Sequence, residues 1–275
     1  MKGSLAMTRK LIALDLDGTT LDNAGRLAPS TINTLQAATT AGHLVVIATG
    51  RPDSISEDLY DELGLTGPMI NFNGALIHVP HQAWPAERAV TMPIATALAL
   101  RELKADFHIR VMVAEGKRLL RADHGYVNVP FLPDMPHPTA LLDEAGLTQP
   151  PISVTMFIDE GALAPLTAAI AARFPELTGK TWGVWSGDHT ALEVTAGNAS
   201  KSRALAYVAG AYGIDQKDII AFGDDLNDLD MIEYAGLGVA MQNARPQILA
   251  AADSVTPTDN EHLGVANFLV KYLHL

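Results

Sequence analysis

Cysteine is absent from this chain, which excludes disulfides and thiolate chemistry and leaves a reducing compartment open to it. Basic residues are scarce: 19 Lys and Arg stand against 31 Asp and Glu, for a net charge of −12. No block of Lys or Arg stands out, so non-specific binding to nucleic acid or to an anionic membrane surface is disfavoured. No apolar run reaches the roughly 18 residues that a spanning helix needs. Met1 to Lys10 lacks an apolar core of signal-peptide length. These absences point to a cytoplasmic protein with neither nucleic acid nor membrane as partner. Met1 to Ala6, which precede a second methionine at Met7, are expected to be a cloning remnant.

What is present is ordinary for a soluble globular protein: 275 residues, 48% of them apolar and 18% charged. That length suffices for one large domain or two modest ones. Leu11–Leu14 is a short apolar run ending in acids and a turn-rich stretch, as a buried parallel strand running into a loop would. From Ser30, apolar residues at Ile32, Leu35, Ala38 and Ala41 mark a helix stopped by Gly42. Leu44 to Ala48 is a second strand, Ser54 to Leu63 a second helix and Pro68 to Phe72 a third strand. The alternation implies a parallel sheet with helices on its faces, where ligands gather at the carboxyl ends of the strands. The pattern returns after Ser200, which suits an N-cap. A helix to Tyr212, strands at Asp218 to Phe222 and Leu237 to Met241, a helix over Ala244 to Ala252 capped by Asn243, and a closing helix over Glu261 to Leu273 follow. Residues 83–189 differ. Strands such as Ile109 to Val113 and Ile152 to Ile158, helices near Ile94 to Phe107 and Gly161 to Phe174, and prolines clustered between Pro130 and Pro151 indicate an inserted α+β domain. The core domain then comprises residues 7–82 and 190–275.

Four clusters carry chemistry. In Asp15-Leu16-Asp17-Gly18-Thr19, carboxylates two residues apart on an extended backbone point the same way. At a strand end they could ligate a hard cation such as magnesium and divide nucleophilic and proton-transfer work; Asp and Gly after a strand are also common turn formers. Gly223-Asp224-Asp225-Leu226-Asn227-Asp228 follows another apolar strand, and its acids repel one another unless a cation or solvent intervenes; a solvated acidic helix start accounts for Asp225 and Asp230 equally well. Thr49-Gly50-Arg51 offers a hydroxyl and backbone N–H groups suited to phosphoryl oxygens, or simply a turn. Lys201 opens a helix, where the dipole disfavours a cation, so either it has another task or it is a surface lysine.

Taken in order, Asp-x-Asp-Gly-Thr, Thr-Gly-Arg, Lys and Gly-Asp-x-x-Asn-Asp resemble the haloacid dehalogenase superfamily. The insert between the second and third motifs resembles the cap of its Cof-type sugar-phosphatase-like subfamily. Asn73-Gly74-Ala75, Met241-Gln242-Asn243-Ala244 and Gly264-Val265-Ala266 agree. The resemblance implies a Rossmann-like α/β core with an α+β cap, and a Mg2+-dependent phosphatase of small phosphorylated metabolites, sugar phosphates or similar. It implies Asp15 as nucleophile, forming a phospho-aspartate, and as metal ligand. Asp17 would be the acid/base and a metal ligand through its carbonyl. Thr49, Gly50, Arg51, Lys201 and Asn227 would hold the phosphoryl group, Asp224 would complete the metal site, and Asp228 would stand behind them. One departure is Ser202, where the family usually has a glycine after the lysine.

In such a family the cap selects the substrate. Arg110, Arg118, Arg121 and His124 are candidate cations there, and Trp182 and Trp185 candidate stacking platforms, although exposed strand arginines are usually solvated and strand tryptophans usually pack. His108, His124 and His189 show no zinc spacing. Competing readings are a sugar-phosphate phosphotransferase or mutase and a non-catalytic phosphometabolite-binding regulator; a dehalogenase fits the second acid of the first motif poorly. A monomer or small homo-oligomer is expected.

Overall fold

The computed structural model describes residues 8–129, 132–181 and 190–275; Trp182, Trp185 and His189 lie outside the described residues. The chain begins with β1 (Leu11–Leu14), α1 (Pro29–Thr40), β2 (Leu44–Ile47), α2 (Glu57–Glu62), β3 (Met69–Asn71), β4 (Leu76–His78) and the two-residue β5 (Arg88–Ala89). It continues through α3 (Ile94–Arg101), α4 (Leu103–Asp106), β6 (Val111–Gly116), β7 (Leu119–Ala122), β8 (Ser153–Ile158), α5 (Leu163–Arg173), β9 (Leu177–Thr181) and β10 (Thr190–Ala196). It closes with α6 (Lys201–Tyr212), β11 (Ile219–Gly223), α7 (Leu229–Tyr234), β12 (Leu237–Ala240), α8 (Pro246–Ala251), β13 (Ser254–Val255) and α9 (Gly264–Leu273).

Two compact units result. The first ends its opening segment at Arg51, resumes over Ser56–Arg88 and returns over Ser200–Leu275; the second takes Ala89–Ala199 together with Pro52–Ile55. The first unit is built on a parallel sheet of order β13-β12-β11-β1-β2. Within it β1, between β11 and β2, reads Leu-Ile-Ala-Leu, all four residues wholly buried, because helices cover both faces of such a sheet. In register, Leu14 lies between Phe222 and Ile47. The residues that follow β1, β2 and β11 therefore emerge along one edge. A bridge between Ala48 and Ile70 brings the end of β3 to that edge as well.

The second unit is an antiparallel sheet of order β7-β6-β8-β10-β9. Met112, Ala114, Val154, Met156, Leu192 and Val194 on one face pack with Leu100, Leu166 and Ile170 of the helices. The chain is thus α/β with an α+β insert, as the alternation of elements predicts. Asn243 differs from expectation. Helix α8 begins after Arg245 with Pro246 at its first turn, where a missing N–H costs nothing, while Asn243 turns away to donate to the Gly18 carbonyl at 2.8 Å. The expected single helix over Ile94 to Phe107 is divided at Glu102, and that from Gly161 starts as a 3-10 turn. Among the described residues no helix is long and apolar enough to cross a membrane.

Candidate active site

Asp15 leaves β1 with its backbone N–H still paired to the Phe222 carbonyl at 3.1 Å. Its own carbonyl accepts from Thr20 Oγ1 at 2.6 Å. Asp15 is 6% exposed, and its Oδ1 accepts from Lys201 Nζ at 2.6 Å. Lys201 is wholly buried and also donates to Asp228 Oδ1 at 2.6 Å. That answers the misplaced charge at the start of α6: the lysine turns inward to two carboxylates, and Ser200 caps the helix by accepting from Arg203 N–H.

Asp224 extends from the end of β11. Its Oδ1 accepts from Thr19 Oγ1 at 2.9 Å. Carboxylate oxygens of Asp15, Asp224 and Asp228 all lie within 4.8 Å of one another. Asp228 is saturated by protein: Oδ1 serves Lys201, and Oδ2 accepts the backbone N–H groups of Asp224 and Asp225 at 3.0 and 3.2 Å. Asp15 and Asp224 keep capacity for a further partner.

The charges do not balance, since three carboxylates surround one ammonium. Burial first, then the Asp228 charge, pushes the Asp15 carboxyl well above the usual carboxylate range, with Lys201 pulling the other way. Burial and Asp228 likewise push Asp224 up to about 7. Burial alone would lower Lys201, but the Asp15 and Asp228 charges outweigh it and hold the ammonium above its ordinary value. A divalent cation among these groups would supply the missing positive charge. The donor set is all oxygen, which suits a hard ion such as magnesium. The residues present fit such an ion.

Asp17 stands apart from this cluster. Arg51 clamps its carboxylate with two hydrogen bonds, Nε to Oδ2 at 2.8 Å and Nη2 to Oδ1 at 2.5 Å. Thr49, 1% exposed, accepts the Arg51 N–H on Oγ1 at 3.1 Å, which fixes the turn around Gly50. Asn227 donates to Asn73 Oδ1 at 3.1 Å. The first unit therefore gathers every core residue singled out in the sequence. It adds Thr19, which orients Asp224 and was readable as part of its motif. The Asp17–Arg51 pair, 34 residues apart, has no sequence signature.

Two glycines permit the convergence. Gly18 has φ of +72°, and a Cβ there would fall 2.4 Å from Asp224 Oδ2. Gly74, at φ +102°, lets the chain approach α6 so closely that a Cβ would lie 2.2 Å from the Ser200 carbonyl oxygen. The close approach beside Lys201 is thus made by Gly74. Ser202 needs no such freedom: its N–H donates to Asp230 Oδ2 at 2.9 Å and its hydroxyl pairs with that of Ser200 at 3.0 Å. Gly74→Ala should cost about 3 kcal/mol, from strained backbone and a collision with main-chain atoms that cannot swing aside. Gly210→Ala, in α6 with open space at the Cβ position, should be neutral or stabilise by up to ~1 kcal/mol. Urea denaturation of the two variants checks this; equal effects would show that the approach at Gly74 is slack.

Three of the four candidate cations of the second unit have partners within it. Arg110 pairs with Asp159 at 2.5 Å, Arg121 donates to the Gly146 carbonyl at 2.9 Å, and His124 pairs with Asp123 at 2.7 Å. Arg118, at φ +57°, forms the turn between β6 and β7.

The sequence model of the haloacid dehalogenase-like hydrolases matches residues 12–269. The chain is 30% identical to the 5-amino-6-(5-phospho-D-ribitylamino)uracil phosphatase YitU of Bacillus subtilis, over 96% of this chain and 98% of that protein. It is 32% identical to the pyridoxal phosphate phosphatase YbhA of Escherichia coli, over 97% of this chain and 100% of that one. A crystal structure of a haloacid dehalogenase-like hydrolase from Bacteroides thetaiotaomicron shares the fold, with a TM-score of 0.84 and 24% identity over 96% of this chain and 100% of that one. A match across nearly the whole chain, on a fold that brings the motif residues to one sheet edge, means that this protein belongs to the haloacid dehalogenase-like hydrolases and is a phosphatase of that family.

Proposed function

We propose that the chain is a magnesium-dependent phosphomonoesterase that hydrolyses a small phosphorylated metabolite, a sugar phosphate or similar, through an aspartyl-phosphate on Asp15. The observation that carries this reading is the Asp15 carboxylate itself. It is buried at a strand end, one oxygen is pinned by Lys201, and its neighbours form an acidic, all-oxygen cluster. The two relatives above are named for phosphorylated small molecules, which supports the substrate class.

In this mechanism the Asp15 carboxylate attacks phosphorus in line with the leaving oxygen. Phosphoryl transfer asks mainly for positioning and charge neutralisation. Lys201 supplies a fixed positive charge beside the nucleophile. Thr49 Oγ1, the Gly50 N–H, Arg51 and Asn227 hold the phosphoryl oxygens. Asp17 gives a proton to the departing alkoxide, then takes one from the water that hydrolyses the acyl phosphate, so each half-reaction has its own proton transfer. Arg51 occupies both Asp17 oxygens here, so this role requires the clamp to open as the phosphoryl group arrives and offers the guanidinium a new anion. Asp15, Asp224 and the Asp17 carbonyl would hold the magnesium ion, which when bound neutralises charge on the phosphoryl group. Asp228 keeps Lys201 and the Asp224–Asp225 backbone in place.

The test is phosphate release from a panel of phosphorylated metabolites with magnesium and with excess chelator. Release that needs magnesium is expected. Release unaffected by chelation would remove the metal from the mechanism. Transfer to a second sugar hydroxyl in place of release would identify a phosphotransferase.

A further inference from the structure

Beyond β3 the backbone takes a path that most side chains resist. Phe72, Asn73 and Gly74 follow one another at φ +50°, +53° and +102°. Left-handed backbone is costly for a residue as bulky as Phe72, and such strain persists only where the surroundings impose it. Asparagine is among the few side chains that visit this region readily. The turn lays the chain along the loop that follows β2. The Asn73 N–H donates to the Thr49 carbonyl at 3.1 Å, and the Phe72 N–H to the Arg51 carbonyl at 3.2 Å. Asn71 Nδ2 donates to the same Arg51 carbonyl at 3.0 Å, and the Thr49 N–H donates back to the Ile70 carbonyl at 2.9 Å. Thr49-Gly50-Arg51 is thereby stitched to the end of β3 on both sides of its glycine.

The Asn73 side chain reaches further than this turn. A Cβ on Gly50 would lie 3.1 Å from Asn73 Nδ2 and 3.2 Å from its Oδ1, so the buried amide fills the space over Gly50. The same Oδ1 accepts from Asn227 Nδ2 at 3.1 Å. Thr49 and Gly50 follow β2, and Asn227 lies in the turn after β11. One side chain therefore touches two separate segments that the mechanism asks to hold phosphoryl oxygens. An amide NH2 carries two N–H bonds. Fixing one of them on Asn73 sets the plane of the Asn227 amide, and with it the direction of the other. Donors fixed in advance are what phosphoryl transfer rewards, because they need no reorganisation as charge develops.

We infer that Asn73 is a positioning residue for phosphoryl transfer, one that locks the Thr49-Gly50 turn and the Asn227 amide into a single array of donors without touching the substrate itself. This rests on the phosphatase reading, in which Thr49, Gly50 and Asn227 hold the phosphoryl group. The backbone and the amide of Asn73 are separable. Glycine adopts the same φ at no steric cost and keeps the N–H on the Thr49 carbonyl, so Asn73→Gly removes the amide alone. Were Asn73 present only because it tolerates positive φ, glycine would serve equally well.

The test measures hydrolysis of p-nitrophenyl phosphate with magnesium, and calorimetric binding of inorganic phosphate, for the wild type, Asn73→Gly, Asn227→Ala and the double variant. Both single variants should fold, since glycine suits the backbone at 73 and Asn227 is partly exposed; urea denaturation checks this. Asn73→Gly should lower kcat/KM about tenfold and weaken phosphate binding about fivefold. Residues that act through one another are not additive. The double variant should therefore fall no more than about threefold below Asn227→Ala in kcat/KM, where independent effects would carry it about tenfold lower. A folded Asn73→Gly within threefold of the wild type, or a double variant that shows the full Asn73→Gly loss on top of the Asn227→Ala loss, overturns the inference and leaves the phosphatase reading standing. That reading falls separately, if the panel of esters above yields no phosphate. If the wild type does not hydrolyse p-nitrophenyl phosphate, binding of inorganic phosphate decides. About fivefold weaker binding by Asn73→Gly, with no comparable further weakening from Asn227→Ala to the double variant, upholds the positioning role; unchanged, additive or undetectable binding overturns it.

Discussion

Asp15→Asn should abolish phosphate release, lowering kcat by roughly 10^4-fold or more, as loss of a covalent nucleophile does elsewhere. The fold should survive. The asparagine carbonyl can take the place of Oδ1 as acceptor for Lys201, now at 2.6 Å, and the substitution removes a charge from a site where burial already disfavours it. The backbone anchor to Phe222 does not involve the side chain. Circular dichroism and urea denaturation should therefore match the wild type while phosphate release disappears. Retention of more than about a tenth of the wild-type rate in a folded variant would mean that water attacks the ester directly, and Asp15 would become a group that merely positions it. A variant that binds inorganic phosphate yet releases none would localise the loss to the chemical step.

Much of the first unit is legible in its residues because local pattern and tertiary demand agree there. Leu11–Leu14 can only be buried on both faces, and acids at its end can only be tolerated where something compensates them. The αL stop at Gly213, φ +64°, follows from composition alone. What the residues do not show are relations that span the fold. The Arg51–Asp17 clamp joins the ends of two strands, and the approach of Gly74 to Ser200 joins a loop to a helix start; neither has a spacing rule. The second unit is less legible because buried acids in its strands break the polarity code. The strand expected to stop at Val113 continues to Gly116, since Glu115 stays buried where a glutamate ordinarily signals solvent. Thr190–Ala196 hides its strand in the same way, with Glu193 buried at its middle.

The second large effect concerns Lys201. Lys201→Met should destabilise the protein by about 3–5 kcal/mol, because a buried pair that loses one partner leaves uncompensated charge. The lysine is wholly buried, and its Nζ is shared between Asp15 Oδ1 and Asp228 Oδ1. Its ammonium is held above the ordinary lysine range, so at neutral pH the full contribution is present and the full loss should appear. Methionine fills nearly the same volume, which keeps a cavity from confusing the result. The decisive comparison adds Asp228→Asn. An asparagine oxygen can still accept the backbone N–H groups of Asp224 and Asp225 that now use Oδ2, while one of the two stranded charges is gone. The double variant Lys201→Met with Asp228→Asn should therefore recover at least half of the stability lost by Lys201→Met alone, and a double-mutant cycle from urea denaturation measures that coupling. Turnover should stay absent in both, since neither restores a cation beside Asp15. Additive losses would mean that the lysine stabilises the fold through packing, and that the charge imbalance at this strand edge is met by solvent.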